Sequence, residues 1–202
     1  PPSSPQPTST YHKRNLVPFG EWIPARSFFL PLIPVLGNIG RQSVPGTTPG
    51  VLDATIAGQK VPVGVVVCFE VAHDGTVADT VRHGAKILVV QSNNSSFIDT
   101  AQTPQQWQIT RARAIETGRH IVVSTTNSFS GLVNPDGSVA VRTNEGDHTH
   151  FTVTMPLESG LTMGVRIAPR LRVIILVIAA GAIAVSLLQR RRAMLAQANH
   201  NR

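Results

Sequence analysis

The only cysteine of the chain, Cys68, directly follows its most apolar strand-like run, Val61–Val67. A thiol at the end of a buried strand can stay exposed while the strand fixes its backbone, as a nucleophile requires. With a single cysteine the chain can form no internal disulfide, so the thiol is free. The alternative is an inert core residue, because free cysteines are among the most buried residue types. Cys68 is therefore a candidate nucleophile, whose reactivity depends on its surroundings.

The segments around Cys68 alternate between strand-like and helix-like patterns. The predicted strands cover 61–67, 87–91, 121–125, 129–133, 138–142 and 149–155, and the predicted helices cover roughly 75–84 and 104–118. The fourth and fifth strands flank Asn134–Gly137, a turn sequence in which Pro135 presets φ and Gly137 accepts a positive φ. Alternating strands and helices followed by a hairpin predict an α/β fold with a largely buried sheet.

The N-terminal quarter follows neither pattern. Residues 1–10 are rich in Pro, Ser and Thr and are interpreted as a disordered linker. Residues 28–36 are strongly apolar, but Pro31 and Pro34 exclude a regular helix there. Residues 37–50 contain four glycines and two prolines, which indicate a long flexible loop. The apolar segment 28–36 is either an ordinary core segment or a lid whose apolar tip contacts lipid.

Positive charge is concentrated at the C-terminus. The formal net charge is +7, yet residues 1–165 hold eleven basic and eleven acidic residues. The other seven arginines lie on both sides of an apolar run, Val173–Leu188. A nucleic-acid-binding protein would spread Lys and Arg over a folded surface, so this distribution predicts a membrane anchor and no nucleic-acid partner. A buried core helix is the alternative, but such helices rarely carry arginine clusters at both ends.

The anchor is predicted as a transmembrane helix over 171–189. The run Val173–Leu188 makes about 24 Å of helix, short of the roughly 20 residues that usually span a bilayer. Leu171 extends it, and Arg172 and Arg190 can snorkel to the interfaces. The arginines that follow favour a basic cytoplasmic tail over 190–202, and hence a catalytic domain over 11–165 on the extracytoplasmic face of the cell membrane. Upstream membrane segments of a multi-pass parent protein would then have exported this domain.

Three regions together resemble the nitrilase superfamily of carbon–nitrogen hydrolases. These regions are Tyr11–Pro24, Val67–Glu70, and Arg113–Arg119 with Asn127 and Asn134–Gly137. The sequence of the first region, a lysine followed by Leu-Val-Pro-Phe-Gly-Glu, resembles that of the apolipoprotein N-acyltransferases within that superfamily. The resemblance implies the C-terminal portion of a nitrilase-like α-β-β-α sandwich, with its N-terminal part missing, followed by one C-terminal transmembrane helix.

The same resemblance implies a Glu-Lys-Cys triad. Lys13 matches the lysine of the family and Cys68 matches its nucleophile. Glu21 and Glu70 match supporting active-site acids. From the chemistry of acyl transfer, the amide N–H of Phe69, directly after Cys68, is expected to be a second donor to the oxyanion. The general-base glutamate of the family lies well upstream of the lysine, but the sequence has no acidic residue before Glu21. The chain alone is therefore expected to be nearly inactive.

Each of these residues also has an ordinary structural interpretation. Lys13 in isolation is most often a surface lysine. Glu21 and Glu70 would by default be solvated, or paired with one of three arginines, Arg14, Arg26 or Arg119. The histidines show no metal-ligand spacing, and neither a metal nor a cofactor is expected.

The resemblance implies a membrane-bound acyltransferase. The enzyme would take a fatty acyl chain from a phospholipid as a Cys68 thioester. It would then pass the chain to the N-terminal amine of a lipid-modified (diacylglyceryl-cysteine) apolipoprotein. One alternative is an amidase or nitrilase for a small soluble substrate, which needs no anchor. Another is a catalytically silent, membrane-tethered module, which the missing upstream acid favours.

Overall fold

The computed structural model describes residues 9–200, without the side chains of 169 and 192–200. The chain divides after Thr162 into two units, a mixed α/β unit and a C-terminal helix. Residues 1–8 of the predicted linker and 201–202 of the predicted tail lie outside the described residues.

One six-stranded sheet organises the first unit. Its strands are β1 (Val51–Ile56), β2 (Gln59–Val67), β3 (Ile87–Ser92), β4 (Ile121–Thr125), β5 (Gly131–Val133) and β6 (Val139–Arg142). They lie side by side in chain order, with β2, β3 and β4 parallel and the outer pairs antiparallel. Three α-helices accompany the sheet, α1 (Arg26–Leu32), α2 (Asp74–Arg82) and α3 (Gln102–Thr117). The predicted α/β fold is confirmed, and most predicted strands and helices differ from the observed ones by only a few residues.

The core lies on one face of the sheet. Every second residue of the parallel strands is buried there, including Val66, Leu88 and Val123, and these side chains pack in one cluster with Val77 of α2 and Trp107 of α3. The other face carries a smaller buried cluster of Val61, Val63 and Ile87, whereas residues nearer the carboxyl ends of the strands, such as Gln91 and Ser124, are exposed on it. Parallel strands read as near-continuous apolar runs because both faces are apolar, which is why the sequence predicts them well.

In the N-terminal region one prediction is wrong and one strand was missed. Pro31 does not exclude a helix, since it lies inside α1. In a helix of seven residues its missing N–H removes only one intrahelical bond. Strand β1 was not predicted: it forms a hairpin with β2 across Ala57 and Gly58, both with positive φ. Ala57 is an unusual residue at such a position, so the hairpin has no strong sequence signal.

The predicted strand 149–155 is also wrong. Its alternation is present, because Phe151, Val153 and Met155 are half-buried while the residues between them are exposed. However, Met155 packs against Val61, Val63 and Ile87 on the face of the sheet. The segment therefore buries one side without pairing with a strand.

The second unit is a single helix, α4 (Met163–His200). Residues 170–191 of this helix are long and apolar enough to cross a membrane, with a mean hydropathy of 2.6. These 22 residues make about 33 Å of helix, compared with a bilayer core of about 30 Å. The predicted long apolar C-terminal helix is confirmed, and its apolar stretch is longer than the 171–189 expected.

Candidate functional site

The carboxyl ends of the three parallel strands open into one cavity. This cavity, the Cys68 cavity, has a volume of about 500 Å³. The last residues of β2, β3 and β4 and the residues directly after these strands line it, together with Lys13 and Glu21 from the N-terminal segment. The lining residues are Lys13, Glu21, Val67, Cys68, Gln91, Ser92, Asn93, Ser124, Thr125 and Thr126. The structure therefore brings together three of the predicted site residues, Cys68, Lys13 and Glu21.

Cys68 has a left-handed backbone conformation, with φ of 51°. It is the first residue after β2 and begins a short 3-10 helix, Cys68–Ala72. Non-glycine residues rarely adopt positive φ, and such strain is typically found at functional sites. The turn leaves the thiol half-buried at the wall of the cavity. The sheet thus fixes the backbone of Cys68 and the turn exposes its side chain.

Lys13 and Glu21 form an ion pair in the same cavity. The Lys13 ammonium donates to both carboxylate oxygens of Glu21, at 2.9 and 2.8 Å. The lysine side chain is only 11% exposed and the glutamate side chain 35%. Glu21 also accepts the backbone N–H of Val17 at 2.7 Å. The ordinary interpretation of Lys13 as a surface lysine is wrong, because the side chain is largely buried and held by one carboxylate.

Gly46 fixes the backbone of the lysine. Its N–H donates to the carbonyl of Lys13 at 2.9 Å. A Cβ at position 46 would lie 2.1 Å from the carbonyl oxygen of His12, so only glycine allows this close approach. The loop that was predicted as flexible at 37–50 therefore packs directly against the lysine segment.

Glu70 is fully buried and does not line the cavity. One of its carboxylate oxygens accepts the backbone N–H groups of Arg14 and Asn15, at 2.6 and 3.2 Å, and the hydroxyl of Tyr11 at 2.8 Å. The other oxygen accepts the N–H of Val67 at 2.8 Å. One carboxylate thus connects the backbone beside Lys13 to the backbone beside Cys68.

Burial and the Glu70 carboxylate affect the hydroxyl of Tyr11. The pKa of Tyr11 is raised to about 12, mainly by burial; the hydrogen bond to Glu70 also raises it, and Arg14 lowers it. The hydroxyl therefore stays protonated and donates to Glu70 over the whole neutral range.

Arginines near the site bind partners other than those expected. Arg14 pairs with Asp79 at 2.6 Å, and Arg119 donates to backbone carbonyls, including those of Ala85 and Gly160. Arg113 of α3 donates to the carbonyls of Val71 and Ala72, at 2.9 and 3.1 Å. The expected pairing of Glu21 or Glu70 with a nearby arginine is therefore wrong, and α3 supports the turn that carries Cys68.

A polar rim at the ends of β3 and β4 was not predicted from the sequence. The Asn93 side chain accepts from Ser95 Oγ and from Thr126 Oγ1, the latter at 2.9 Å, and Ser95 also donates to Asn127 at 2.8 Å. Asn93 and Thr126 line the Cys68 cavity. Their positions shortly after the predicted strands 87–91 and 121–125 were the available signal, since ligands bind at the carboxyl ends of the strands in an open α/β sheet. Among the described residues, no group of three or more His, Cys, Asp or Glu side chains is placed to hold a metal ion.

The fold and the site define the class of the protein. The chain matches the model of the carbon–nitrogen hydrolase family over residues 3–160, and it belongs to that family. The predicted fold class, a partial nitrilase-like fold followed by an apolar helix, is confirmed.

Two similar proteins from different bacteria are both named apolipoprotein N-acyltransferase. The chain is 32% identical over 186 residues to apolipoprotein N-acyltransferase of Mycolicibacterium smegmatis, covering 92% of this chain and 30% of the relative. It is also 32% identical over 160 residues to apolipoprotein N-acyltransferase of Gloeobacter violaceus, covering 77% and 29%. The chain therefore spans 30% or less of the length of these two relatives.

Among solved structures, a nitrilase-superfamily protein of Saccharomyces cerevisiae, Nit3, superposes with a TM-score of 0.44. It is 19% identical, and the superposition covers 52% of this chain and 40% of that protein.

Proposed function

We propose that the chain is the catalytic portion of a membrane-bound enzyme that transfers a fatty acyl group from a phospholipid to the N-terminal amine of a lipid-modified apolipoprotein. The observation that carries the proposal is the position of Cys68, held in a left-handed turn at the wall of a cavity that also contains the Lys13–Glu21 pair. The names of the two relatives support the transfer of an acyl group to an apolipoprotein.

In the first half-reaction, Cys68 Sγ attacks the carbonyl carbon of a phospholipid acyl ester. A C–S bond forms and the ester C–O bond breaks. The lysophospholipid leaves with the proton that a general base takes from the thiol. The Lys13 ammonium and the amide N–H of Phe69 stabilise the oxyanion. The amide of Phe69 is available because the first N–H groups of a helix have no partner within the helix.

In the second half-reaction, the α-amine of the acceptor attacks the thioester carbonyl. A C–N bond forms, the C–S bond breaks, and the amine proton returns through the base to the thiol. Glu21 holds the Lys13 ammonium in place through both steps, and Glu70 holds the lysine segment against the nucleophile without contacting substrate. Glu70 is thus a positioning residue.

Two features support a lipid substrate. The α4 helix contains a stretch long enough to cross a membrane. In the segment 28–36, Phe28, Leu32 and Val35 are 62%, 64% and 67% exposed, whereas Leu36 is buried. Side chains of this type on a surface favour contact with hydrocarbon. We therefore interpret 28–36 as a lipid-contacting segment, on the extracytoplasmic side of the cell membrane in a multi-pass protein.

The proposed mechanism requires a general base, and neither Glu21 nor Glu70 is available for that role. No acidic residue precedes Glu21 in the sequence, while Glu21 is bound to Lys13 and Glu70 is buried among backbone amides. We expect the base to be a carboxylate upstream of Lys13 in a longer chain. The 202-residue chain should then form the thioester far more slowly than an N-terminally extended one, since losing one member of a catalytic set costs several orders of magnitude.

The test is the intact mass of both chains after incubation with phospholipid vesicles. A long-chain acyl adduct on Cys68 of the extended chain, removable by hydroxylamine, is the expected result. An adduct on a Cys68→Ser variant, or none on either folded chain, would contradict the proposal. Turnover of small amides without any adduct from lipid would favour a soluble-substrate amidase instead.

A further inference from the structure

A second cavity is lined by residues that neighbour Lys13 and Cys68 in the chain, among them Arg14 and Phe69. This cavity, the Trp22 cavity, has a volume of about 680 Å³, within the range of roughly 300–1,000 Å³ typical of ligand pockets. Its wall is largely apolar, with side chains from Leu16, Pro18, Trp22, Ile23, Pro45 and Phe69. Cys68 is not among its lining residues. A ligand in this cavity would therefore lie beside the nucleophile but apart from it.

The polar groups of the Trp22 cavity favour a hydrogen-bond acceptor. Gln42 accepts the N–H of Ile23 at 2.6 Å through its side-chain oxygen, which leaves its Nε2 as a donor. This Nε2 and the Nε2 of His73 are buried and have no hydrogen-bond partner among the described residues. A buried polar atom without a partner is costly, so each of the two indicates a missing ligand or water.

The charge at this cavity is positive. Arg26 lines it, and its guanidinium makes one long hydrogen bond, to the carbonyl of Ile39 at 3.4 Å. Arg14 also lines it, but its guanidinium is paired with Asp79. None of the described residues that line the cavity is acidic. An anionic head group therefore complements this site.

The cavity also adjoins the exposed apolar segment. Arg26 is the first residue of α1, and Phe29 of α1 contacts the ring of Phe19 with a centroid distance of 5.6 Å. Trp22 in the cavity wall is itself 38% exposed. Apolar surface thus continues from the cavity to the segment 28–36.

We propose that the Trp22 cavity binds one hydrocarbon chain of an anionic phospholipid, with the head group at Arg26. The inference rests on the proposed function. The bound hydrocarbon chain is the acyl chain of the phospholipid that is not transferred, and its binding would hold the lipid while the other acyl chain reacts at Cys68. The hydrocarbon chain packs along Leu16, Trp22 and Phe69. An ester oxygen of the lipid accepts a hydrogen bond from Nε2 of Gln42.

The test uses the fluorescence of Trp22. The sequence contains two tryptophans, and the other, Trp107, is 3% exposed in the core. The full chain with Cys68→Ser, which prevents transfer, is placed in nanodiscs of phosphatidylcholine. Phosphatidylglycerol with brominated chains is then added. We expect saturable quenching that disappears in a Trp22→Phe variant.

Two substitutions separate a site from simple proximity to the bilayer. Ser43→Phe narrows the cavity, whereas Val44→Phe adds the same ring at a neighbouring residue that does not line it and is 84% exposed. Ser43→Phe should weaken binding by about ten-fold or more, and Val44→Phe should leave it unchanged. Equal thermal unfolding midpoints of the two variants establish that both are folded. Should Ser43→Phe unfold, Gln42→Leu replaces it and is expected to weaken binding in the same direction.

Several outcomes overturn the inference. One is quenching that rises linearly with brominated lipid and is equal in the Ser43→Phe and Val44→Phe variants. Another is equal affinity for brominated phosphatidylcholine and phosphatidylglycerol, or an Arg26→Gln variant that keeps the preference for phosphatidylglycerol. Thioester formation by the Cys68-containing chain without saturable quenching contradicts this inference alone. Saturable quenching without a thioester in the extended chain contradicts only the proposed function.

Discussion

The Cys68 cavity and the Trp22 cavity are similar in size but are built from different parts of the chain. The first lies at the ends of β2, β3 and β4 and is lined mainly by polar side chains. The second is formed mainly by segments outside the strands, 14–26 and 42–45, and is lined mainly by apolar ones. The segment from Lys13 to Trp22 contributes to both.

The two kinds of wall suit the two tasks that the proposed reaction requires, which are positioning a nucleophile and holding a hydrocarbon chain. Positioning a nucleophile needs a rigid support, and the parallel strands provide it through the buried cluster behind them. Holding a flexible hydrocarbon chain needs apolar area with little geometric precision. Loops can supply that area, and hydrogen bonds between the loops, such as those from Ser43 to Glu21 and from Gly46 to Lys13, hold them together.

The largest expected effect comes from Cys68→Ser. Because the thiol is the proposed nucleophile, the rate of acyl-adduct formation at position 68 of the extended chain should fall by about 10³-fold or more. Quenching of Trp22 by brominated lipid should not change, since Cys68 does not line that cavity. The first is measured by intact mass and the second by fluorescence. If lipid binding were lost as well, the two cavities would act as one site.

A smaller loss is expected from Lys13→Met. Removing the ammonium takes away one donor to the oxyanion, which typically costs about 10²- to 10³-fold in rate. The rate of acyl-adduct formation measures this. Lys60→Met is the matched control, because Lys60 is exposed in β2 and should keep the full rate. A Lys13→Met variant with an unchanged rate would remove the lysine from the mechanism.

Glu70→Gln tests whether the connection between the two regions is structural. The neutral amide is a weaker acceptor for the N–H groups of Arg14, Asn15 and Val67, so the free energy of unfolding should fall by about 1–3 kcal/mol. Denaturant titration measures this fall. Asp53→Asn, at an exposed position in β1, should change it little. Lipid binding and thioester formation should both weaken in Glu70→Gln, since the segment connected to Glu70 forms part of both cavities.

The smallest effect concerns Tyr11 and pH. Its folded pKa of about 12 is above the ordinary value near 10, so its contribution to stability is complete below about pH 10. That contribution is lost as the pH rises through about 12. Tyr11→Phe should therefore lose less stability than the wild type over that interval. Because Tyr11 is the only tyrosine, the ultraviolet absorbance of tyrosinate reports its titration directly; a midpoint near 10 would contradict the burial of the hydroxyl.

The sequence predicts the rigid region better than the loop region. Strands such as 61–67 and 87–91 are visible because buried parallel strands are continuous apolar runs. The position of Cys68 at the end of β2 follows from the same pattern. Lys13 and Glu21 were identified only through resemblance to a family, because loop residues carry no periodic signal. The left-handed conformation of Cys68 is equally invisible, since cysteine has no preference for it.

Contacts between distant segments account for what could not be predicted. Glu70 accepts hydrogen bonds from residues more than fifty positions away in the chain, and no local pattern encodes such pairings. The Trp22 cavity forms where the 14–26 and 42–45 segments meet Phe69 and His73. Its existence depends on how these segments pack, which composition alone does not determine.

The positive φ of Cys68 also has a consequence for the engineering of the protein. A left-handed conformation is unfavourable by about 1–2 kcal/mol for a residue with a Cβ and is freely accessible to glycine. Cys68→Gly removes the proposed nucleophile and the backbone strain together, although its more flexible unfolded chain offsets part of the gain by about 0.4–1 kcal/mol. The inactive variant should thus fold at least as well as the wild type. The backbone conformation that places the thiol in the cavity thus lowers the stability of the fold. A variant that binds substrate without reacting with it can therefore be made without loss of stability.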